Sequence, residues 1–379
     1  MLPCQRSLFD IPSDVAYLNC AYMSPLMKPA FEAGVAGLAR KSHAWELTAD
    51  TFFTGSEAFR STAACLLGSS PDCVAIVPSA SYGLATAARN LPIRKGQDIL
   101  VLAEQFPSNY YSWQRLAAEQ GAALKVVPWP EDSDWTAAVL DALTEDVAIA
   151  ALPHVHWTSG GRLDLVRIGQ ECRKRGTGLV LDLTQSLGAL PFSVREVQPD
   201  FAVAASYKWL MGPYTIGLLY VAPQWQNGIP LEENWIQRAN ARNFSSLILY
   251  TPEYEGGARR FDMGERSNFA LVPAADRAMQ QVLAWSVTEI SETCGALTRQ
   301  LATAARECGF WSPPGKLRAP HYLCLRRNSG IPPDLTHLLA REKIFISVRG
   351  NSARITPHVY NSTEDVERLI SCLRHIAAT

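Results

Sequence analysis

The chain has 379 residues, of which 47% are hydrophobic and 19% are charged, a composition that excludes disordered and fibrous proteins. A chain of this length is expected to form two domains. Its 35 basic and 36 acidic residues give a formal net charge of -1, so the charge favours neither nucleic acid nor an anionic membrane. We expect a small-molecule partner.

The cysteines and the amino terminus bear on location. The nine cysteines form no CxxC pair and no zinc-like spacing, which favours reduced thiols and no metal site. No apolar run approaches the roughly 20 residues of a membrane span, and Met1 to Asp10 lacks the apolar block of a signal peptide. We therefore predict a cytoplasmic protein without membrane contact.

The first two thirds of the chain alternate between short apolar runs and amphipathic patterns. The apolar runs predict buried strands at Cys73–Val77, Ile99–Ala103, Leu124–Val127, Val147–Leu152, Leu179–Leu181, Phe201–Ala205 and Gly217–Val221. The intervening patterns predict helices at Tyr82–Asn90, Asn109–Gln120, Trp135–Leu143 and Leu165–Arg175. This alternation predicts an α/β fold with a doubly wound, mostly parallel sheet.

The pattern changes after about residue 255. The later elements are a long helical pattern over Pro273–Cys308, short strands near Tyr322–Leu325 and Ile344–Val348, and a final helix from about Ser362. They indicate a smaller α+β domain at the carboxyl end. We therefore predict a large domain over 16–255 and a small domain over 256–379 that also includes 1–15.

Two residues in this pattern point to chemistry. Asp182 ends an apolar run, and so should lie at the carboxyl end of a buried strand, where open α/β sheets bind ligands. Lys208 closely follows the next apolar run. Separately, they could be a turn or cap aspartate and a surface lysine. Together they match pyridoxal phosphate (PLP), which needs a lysine to form an imine and an acid at its ring nitrogen.

The motifs DLTQ and SYKW extend this pairing. They resemble the Asp-x-x-His or Asp-x-x-Gln motif and the later lysine of the class V aminotransferase family. This branch of the fold-type I PLP-dependent transferases includes cysteine desulfurases, kynureninases and isopenicillin N epimerase-like proteins. The resemblance implies Asp182 at the pyridine nitrogen, Gln185 near the ring hydroxyl and Lys208 as the imine lysine. It also implies a homodimer with composite active sites.

Further cofactor contacts are implied by the same resemblance. PSASYGLATAARN resembles the phosphate loop, which assigns Ala80 and Ser81, although such a turn also suits plain helix capping. EQFPSNYYSW assigns Phe106 as the ring stacked on the cofactor, with Asn109 close to the substrate. Tyr207 matches a phosphate-contacting tyrosine of kynureninases.

Two further segments also resemble parts of the family's active site. HVHWTSGG resembles a loop that contacts cofactor and substrate, which assigns Trp157 to the cofactor and His156 to the substrate. An isolated histidine is more often a hydrogen-bonded core or surface group. RRFDMGERSNF resembles the segment that reaches the partner subunit's phosphate, although a Gly-Glu pair stands where Gly-Thr is usual. Ser267 and Asn268 are the candidates there.

The carboxyl-terminal segment ARITPHVYNSTEDVERL resembles the one whose arginine binds the substrate α-carboxylate, which assigns Arg354, with Arg349 as a rival. The planar guanidinium suits bidentate binding of a carboxylate. The preceding stretch FISVRGNSAR lacks the nucleophilic cysteine of cysteine desulfurases, so that activity is disfavoured.

These assignments predict a PLP-dependent enzyme acting on an amino acid. Transamination is the first choice, kynureninase-like hydrolysis or a C–S or C–C lyase reaction is the alternative, and epimerisation comes third. A PLP-binding regulator without activity is disfavoured because Met1 to Val15 is too short for a helix-turn-helix domain.

Overall fold

The computed structural model describes residues 1–378. Its strands are β1 (Ala16–Tyr17), β2 (Val74–Val77), β3 (Asp98–Leu102), β4 (Ala123–Val127), β5 (Val147–Pro153), β6 (Gly178–Asp182), β7 (Phe201–Ala205), β8 (Gly217–Val221), β9 (Leu323–Leu325), β10 (Ile344–Phe345), β11 (Ser347–Arg349) and β12 (Ser352–Ile355). Its α-helices are α1 (Lys28–Ala39), α2 (Thr51–Leu67), α3 (Ala80–Asn90), α4 (Ser108–Gln120), α5 (Trp135–Ala142), α6 (Leu165–Arg175), α7 (Val194–Val197), α8 (Leu271–Trp285), α9 (Val287–Glu307), α10 (Leu335–Arg341) and α11 (Thr363–Ala378).

A seven-stranded sheet in the order β2-β8-β7-β6-β5-β3-β4 forms the centre of the larger part. Strand β8 is antiparallel to both of its neighbours, and the other pairings are parallel. Each predicted strand and helix of this region is present, within a few residues at each end. Strands β2, β7 and β8 are buried along their whole length because helices or loops cover both faces of the sheet.

Side-chain caps and glycines set the ends of the crossover helices. The hydroxyl of Ser79 accepts a hydrogen bond from the first turn of α3, and the carboxylate of Asp164 does the same for α6. Helix α6 ends at Gly176, whose φ of 70° is strained for residues with a Cβ. These short connections bring the ends of β2, β3, β5, β6 and β7 to one edge of the sheet.

A second hydrophobic core lies between the small sheet β11-β12-β9 and helices α9, α10 and α11. Residues of the predicted large domain, Ala16 and Leu18, belong to this second core. Conversely, α8 packs on α1 and α2 and places Val272 and Met279 in the main core. Helix α8 thus shares the main core, and the division at residue 256 stays a prediction.

The helical pattern predicted over Pro273–Cys308 is two helices. Ser286 separates α8 from α9 with a φ of 65°, which interrupts the helical hydrogen bonds. Apolar residues continue at helical spacing on both sides, so periodicity alone does not reveal the break. Among the helices of residues 1–378, none has the length and apolar character needed to cross a membrane.

Candidate active site

A cavity of about 400 Å³ opens at the carboxyl edge of the central sheet. The loops that follow β2, β3, β5, β6 and β7 and the loop before β8 form its walls. It contains eight of the residues predicted from the sequence, namely Ala80, Ser81, Phe106, Trp157, Asp182, Gln185, Tyr207 and Lys208. Residues far apart in the chain therefore converge here.

A larger groove of about 1010 Å³ lies at the opposite edge of the sheet. Its cationic side chains, including Arg94, Arg173 and Arg195, are exposed to solvent. Water stabilises these charges, so they need no ligand. The buried lysine and aspartate of the smaller cavity make that cavity the candidate active site.

Lys208 is only 6% exposed, and its Nζ lies 5.4 Å from the ring centroids of both Phe106 and Tyr207. Burial lowers the pKa of Lys208 to about 8, opposed by the charge of Asp182 and assisted by that of Arg354. A substantial share of the amine is therefore neutral near physiological pH. Only the neutral amine can attack a carbonyl carbon.

Asp182 ends β6 and is buried. Burial raises the pKa of Asp182, whereas hydrogen bonding to Thr184 and the charge of Lys208 act in the opposite direction. The backbone N–H of Thr184 donates to Asp182 Oδ1 at 2.9 Å. A cationic ring nitrogen in the cavity would stabilise this carboxylate.

Gln185 lies one turn beyond Asp182 and is held in one orientation. The indole N–H of Trp209 donates to Gln185 Oε1 at 3.0 Å, and Gln185 Nε2 donates to the carbonyl of Ala21 at 3.2 Å. An amide nitrogen has a second N–H to donate. Because Gln185 lines the cavity, that donor is available for a ligand.

The amino terminus of α3 forms one end of the cavity. Ser79 Oγ accepts from the N–H of Tyr82 at 3.2 Å and lies 2.8 Å from Ser81 Oγ. The first N–H groups of a helix have no partner within it, and the helix dipole favours an anion. Ala80 and Ser81 are therefore placed to hold a phosphate.

Aromatic rings form two walls of the cavity. Phe106 and Trp157 meet edge to face with centroids 5.3 Å apart, and the Trp157 indole N–H donates to the carbonyl of Glu104 at 2.6 Å. Tyr207 lies beside Tyr214, with centroids 4.7 Å apart. Burial raises the pKa of Tyr207 to about 12, so its hydroxyl stays protonated and can donate to a phosphate.

Sequence reasoning missed Gln105, which is 8% exposed and lines the cavity. Its Oε1 accepts from the N–H of Phe106 at 3.0 Å. Its Nε2 is buried and has no hydrogen-bond partner within residues 1–378, so a ligand in the cavity would satisfy it. The motif EQFPSN drew attention to the aromatic ring, and glutamine is usually exposed.

His156 lies outside the cavity lining, in contrast to its predicted contact with the substrate. Its ring stacks on Trp135 with centroids 4.6 Å apart. Its Nε2 lies 3.0 Å from the carbonyl of Ala103, and its Nδ1 lies 3.1 Å from Ser159 Oγ. Burial lowers the pKa of His156 to about 4. It is therefore a neutral core histidine that supports the Trp157 loop.

Asn109 is also placed differently from the prediction. It is fully buried outside the cavity lining, and its Oδ1 accepts from the indole N–H of Trp113 at 2.8 Å. The side chain therefore points along α4 toward Trp113, four residues later in the same helix. Asn109 supports the loop that carries Phe106.

Ser267 and Asn268 line a separate cavity of about 370 Å³ between α2 and the start of α8. Ser267 donates to the carbonyl of Phe52, and Asn268 Oδ1 accepts from the N–H groups of Ala270 and Leu271. Neither lines the Lys208 cavity of its own chain. A role at a cofactor would therefore require a second subunit.

Arg354 is carried by β12, is only 2% exposed and is not among the residues that line the Lys208 cavity. Its Nε and Nη2 donate to Ser347 Oγ at 3.0 and 2.8 Å, and its Nη1 donates to the carbonyl of Trp157 at 3.2 Å and to the hydroxyl of Tyr322 at 3.3 Å. All these acceptors are neutral. No carboxylate in the described part of the chain forms an ion pair with Arg354. A buried cation that has no anionic partner favours the binding of an anion.

This fold and this cavity define a PLP-dependent enzyme of fold type I. The chain belongs to the class V aminotransferases, because the family model described as "Aminotransferase class-V" matches residues 33–370. The cavity fits the cofactor: Lys208, Asp182 and the start of α3 suit its aldehyde carbon, ring nitrogen and phosphate.

Several known proteins are similar to the chain. An uncharacterised aminotransferase, YcbU of Bacillus subtilis, is 26% identical over 318 residues, which are 83% of this chain and 82% of that protein. The kynureninase of Bacillus mycoides is 29% identical over 245 residues, which are 60% of this chain and 53% of that enzyme. The matched part is thus only about half of that kynureninase.

Solved structures share the fold. A variant of C-DES with glycine covalently linked to its PLP cofactor superposes with a TM-score of 0.85 at 18% identity, covering 98% of this chain and 99% of that one. The cysteine desulfurase of Thermococcus onnurineus NA1 gives a TM-score of 0.83 at 18% identity, covering 100% and 99%.

Proposed function

We propose that the protein is an aminotransferase that acts on an α-amino acid, with PLP carried by Lys208. The observation that carries this proposal is the convergence of Lys208 and Asp182 on one cavity, with the buried, anion-free guanidinium of Arg354 behind Trp157. These groups match the amine, the ring acid and the carboxylate receptor that the reaction requires.

Arg354 would bind the α-carboxylate of the substrate through its charge and through the one Nη2 N–H that its hydrogen bonds within the chain leave free. Ser347 and Tyr322 fix the guanidinium, so the carboxylate is received in one orientation. Orientation matters because only the Cα bond perpendicular to the cofactor ring is weakened. PLP supplies the electron sink for that bond.

Lys208 would hold PLP through its amine and would carry the proton that leaves Cα of the substrate. Its pKa of about 8, set mainly by burial, suits a group that takes a proton from Cα and returns it. Asp182 would keep the ring nitrogen of PLP protonated, and Gln185 and Phe106 would hold the ring in place. Tyr207, Ala80 and Ser81 would bind the phosphate.

The second candidate is cleavage at the β-carbon, by a kynureninase-like hydrolase or by a C–S or C–C lyase. Its support is the similarity to kynureninase. Desulfuration is disfavoured because β11 and β12 are joined by the turn Gly350–Asn351, which carries no cysteine. Cys324, opposite Arg354, is fully buried, and burial raises its pKa to about 12. Epimerisation ranks third.

A mass-spectrometric screen separates these reactions. The purified protein with added PLP is incubated with individual amino acids, with and without a keto acid. Product formation that requires the keto acid, with the amino group recovered on that acceptor, is the expected result. Breakdown of an amino acid without any acceptor would instead assign lyase or hydrolase chemistry.

We also propose a homodimer with composite active sites, in a reducing compartment such as the cytoplasm. An apolar face of α1, formed by Phe31, Val35 and Leu38, is exposed, and Ser267 and Asn268 lie away from the cavity of their own chain. Mixing Lys208→Ala subunits with subunits mutated at both Ser267 and Asn268 should restore activity. A fully active monomer would rule out the dimer.

A further inference from the structure

One face of the carboxyl-terminal hairpin carries more positive charge than the proposed reaction needs. Ser347 and Arg349 are alternate residues of β11 and therefore point to the same face. Ser347 is paired with Arg354 across the hairpin, so both arginines lie on that face. Diagonal neighbours of this kind are within reach of long side chains.

Arg349 is not among the residues that line the Lys208 cavity, but its charge lies close enough to act on Lys208. Burial is the main cause that lowers the pKa of Lys208 and of Arg349. The charges of Arg354 and Arg349 add to the effect on the pKa of Lys208, and the charge of Arg354 adds to the effect on the pKa of Arg349. Asp182 is the one carboxylate of the cavity lining, and its partner is the cofactor ring. Within residues 1–378 neither arginine forms an ion pair. An α-carboxylate would balance only one of them.

Arg326 shows how an arginine on this face is used when its role is structural. Cys324 is paired with Arg354, so Arg326, two residues later, lies on the same side. Its guanidinium stacks over Trp129 at 4.0 Å, and its Nε donates to Ser352 Oγ at 2.8 Å. For Arg349, by contrast, the hydrogen bond described is to the neighbouring carbonyl of Val348, at 2.8 Å. Its planar fork therefore remains available to an anion.

Lys208, Arg354 and Arg349 differ in how deeply they are buried. Lys208 and Arg354 are buried, whereas Arg349 is half-buried and lies nearer to solvent. Because Arg349 shares a face of the hairpin with Arg354, a second anionic group of a substrate bound at Arg354 would find its partner in Arg349. We propose that Arg349 binds a side-chain carboxylate, so that the preferred substrates are acidic amino acids. This inference rests on the proposed function.

The test compares acids with their amides, which have the same shape. The holoenzyme is assayed with aspartate against asparagine and glutamate against glutamine, with amino-acid consumption followed by mass spectrometry both with and without a keto acid. We expect kcat/KM to be about tenfold or more higher for at least one acid than for its amide, as for a charge-assisted hydrogen bond. Equal use of both acids and their amides would overturn the inference.

Arg349→Gln supplies the second arm, and Arg341→Gln, which removes an exposed charge at the end of α10, is its matched control. Arg349→Gln should bring the ratio of kcat/KM for the acid to kcat/KM for its amide to about one, mainly through a higher KM for the acid. Arg341→Gln should keep the preference. A preference that survives in Arg349→Gln would also overturn the inference.

Binding of unreactive dicarboxylates keeps the inference separate from the proposed function. Calorimetry on the holoenzyme should show glutarate or succinate binding about tenfold more tightly than its monoamide, and Arg349→Gln should remove the difference. Equal binding of acid and monoamide contradicts the role of Arg349, even if no amino acid reacts. Amino-acid turnover without acid preference would overturn the inference alone, and absence of any turnover would overturn the proposed function.

Discussion

Two clusters of buried charges in this protein are built in opposite ways. Beside the edge strand β2, Asp262 accepts hydrogen bonds from Arg60 and Arg266, and all three side chains are fully buried. The N–H of Ile76 also donates to Asp262, at 2.7 Å, and Glu255 binds Arg266 at 2.8 Å. Each charge in this cluster has an opposite charge in contact.

At the active site the charges are not matched in this way. Arg354 donates only to neutral oxygens, and Lys208 and Asp182 lie on a cavity that contains no further carboxylate. Burying an unmatched charge costs several kcal/mol, about the size of a protein's whole stability margin. The difference teaches that matched charges join the parts of the scaffold, whereas unmatched charges mark the place of a ligand.

The largest expected effect comes from removing the lysine amine. Lys208→Ala should lower turnover by about 10³-fold or more, because both the cofactor attachment and the proton carrier are lost. The variant should still fold, because Lys208 forms no ion pair within residues 1–378. Activity and circular dichroism check this prediction. A variant with near-normal turnover would contradict it.

The matched cluster is expected to control stability. Asp262→Asn keeps the shape but leaves Arg60 and Arg266 without their shared anion, and should lower the free energy of unfolding by about 3–5 kcal/mol. Urea denaturation measures the loss. Glu119→Gln is the control, because its ion pair with Arg115 is exposed, and it should cost less than about 1 kcal/mol.

Arg354 should show the reverse pattern, with a large effect on catalysis and a small one on stability. Arg354→Lys keeps the charge but loses the fork, so amino acids should lose about 2 kcal/mol of transition-state stabilisation while PLP binding stays normal. Amines that lack a carboxylate should be unaffected. Equal losses for amines and amino acids would assign Arg354 to the fold.

Buried histidines supply a third case, in which charge is avoided. Burial lowers the pKa of His154 and His358 to about 3 and that of His156 and His321 to about 4, from an ordinary value of 6.5. These histidines bind protons more readily in the unfolded chain than in the folded one. Their contribution to the free energy of unfolding is therefore complete at pH values above the ordinary pKa of histidine, and it is lost as the pH falls. Between about pH 7 and pH 6 the free energy of unfolding should fall by about 0.7 kcal/mol per histidine.

The prediction for the histidines is checked by urea denaturation at several pH values. The imidazole of His358 has no hydrogen-bond partner within residues 1–378. His358→Phe should therefore reduce the dependence of the free energy of unfolding on pH by the contribution of one histidine. A pH-independent free energy of unfolding over this interval would show that these rings are not held neutral.

The sequence predicted those site residues that lie directly after buried strands. Apolar runs located β6 and β7, and Asp182 and Lys208 lie at the ends of those strands because parallel strands share an edge. The roles of His156 and Asn109 could not be predicted in this way. His156 lies in a loop and Asn109 lies in the first turn of α4, and the orientation of each side chain depends on a packing partner, Trp135 or Trp113.

Other features depended on contacts between distant segments. The single hydroxyl of Ser347 that orients Arg354, and the shared face of Arg349, follow from the register of β11 and β12. No local pattern specifies that register. The break at Ser286 could not be predicted either, because the sequence keeps its helical period there.

The attachment site of the cofactor tests the central claim most directly. The purified protein, supplied with PLP, is reduced with borohydride, digested and analysed by mass spectrometry. The account predicts a yellow protein and a single reduced pyridoxyl label on the peptide that contains Lys208. Label on another lysine, or a colourless protein that takes up no added PLP, would contradict it.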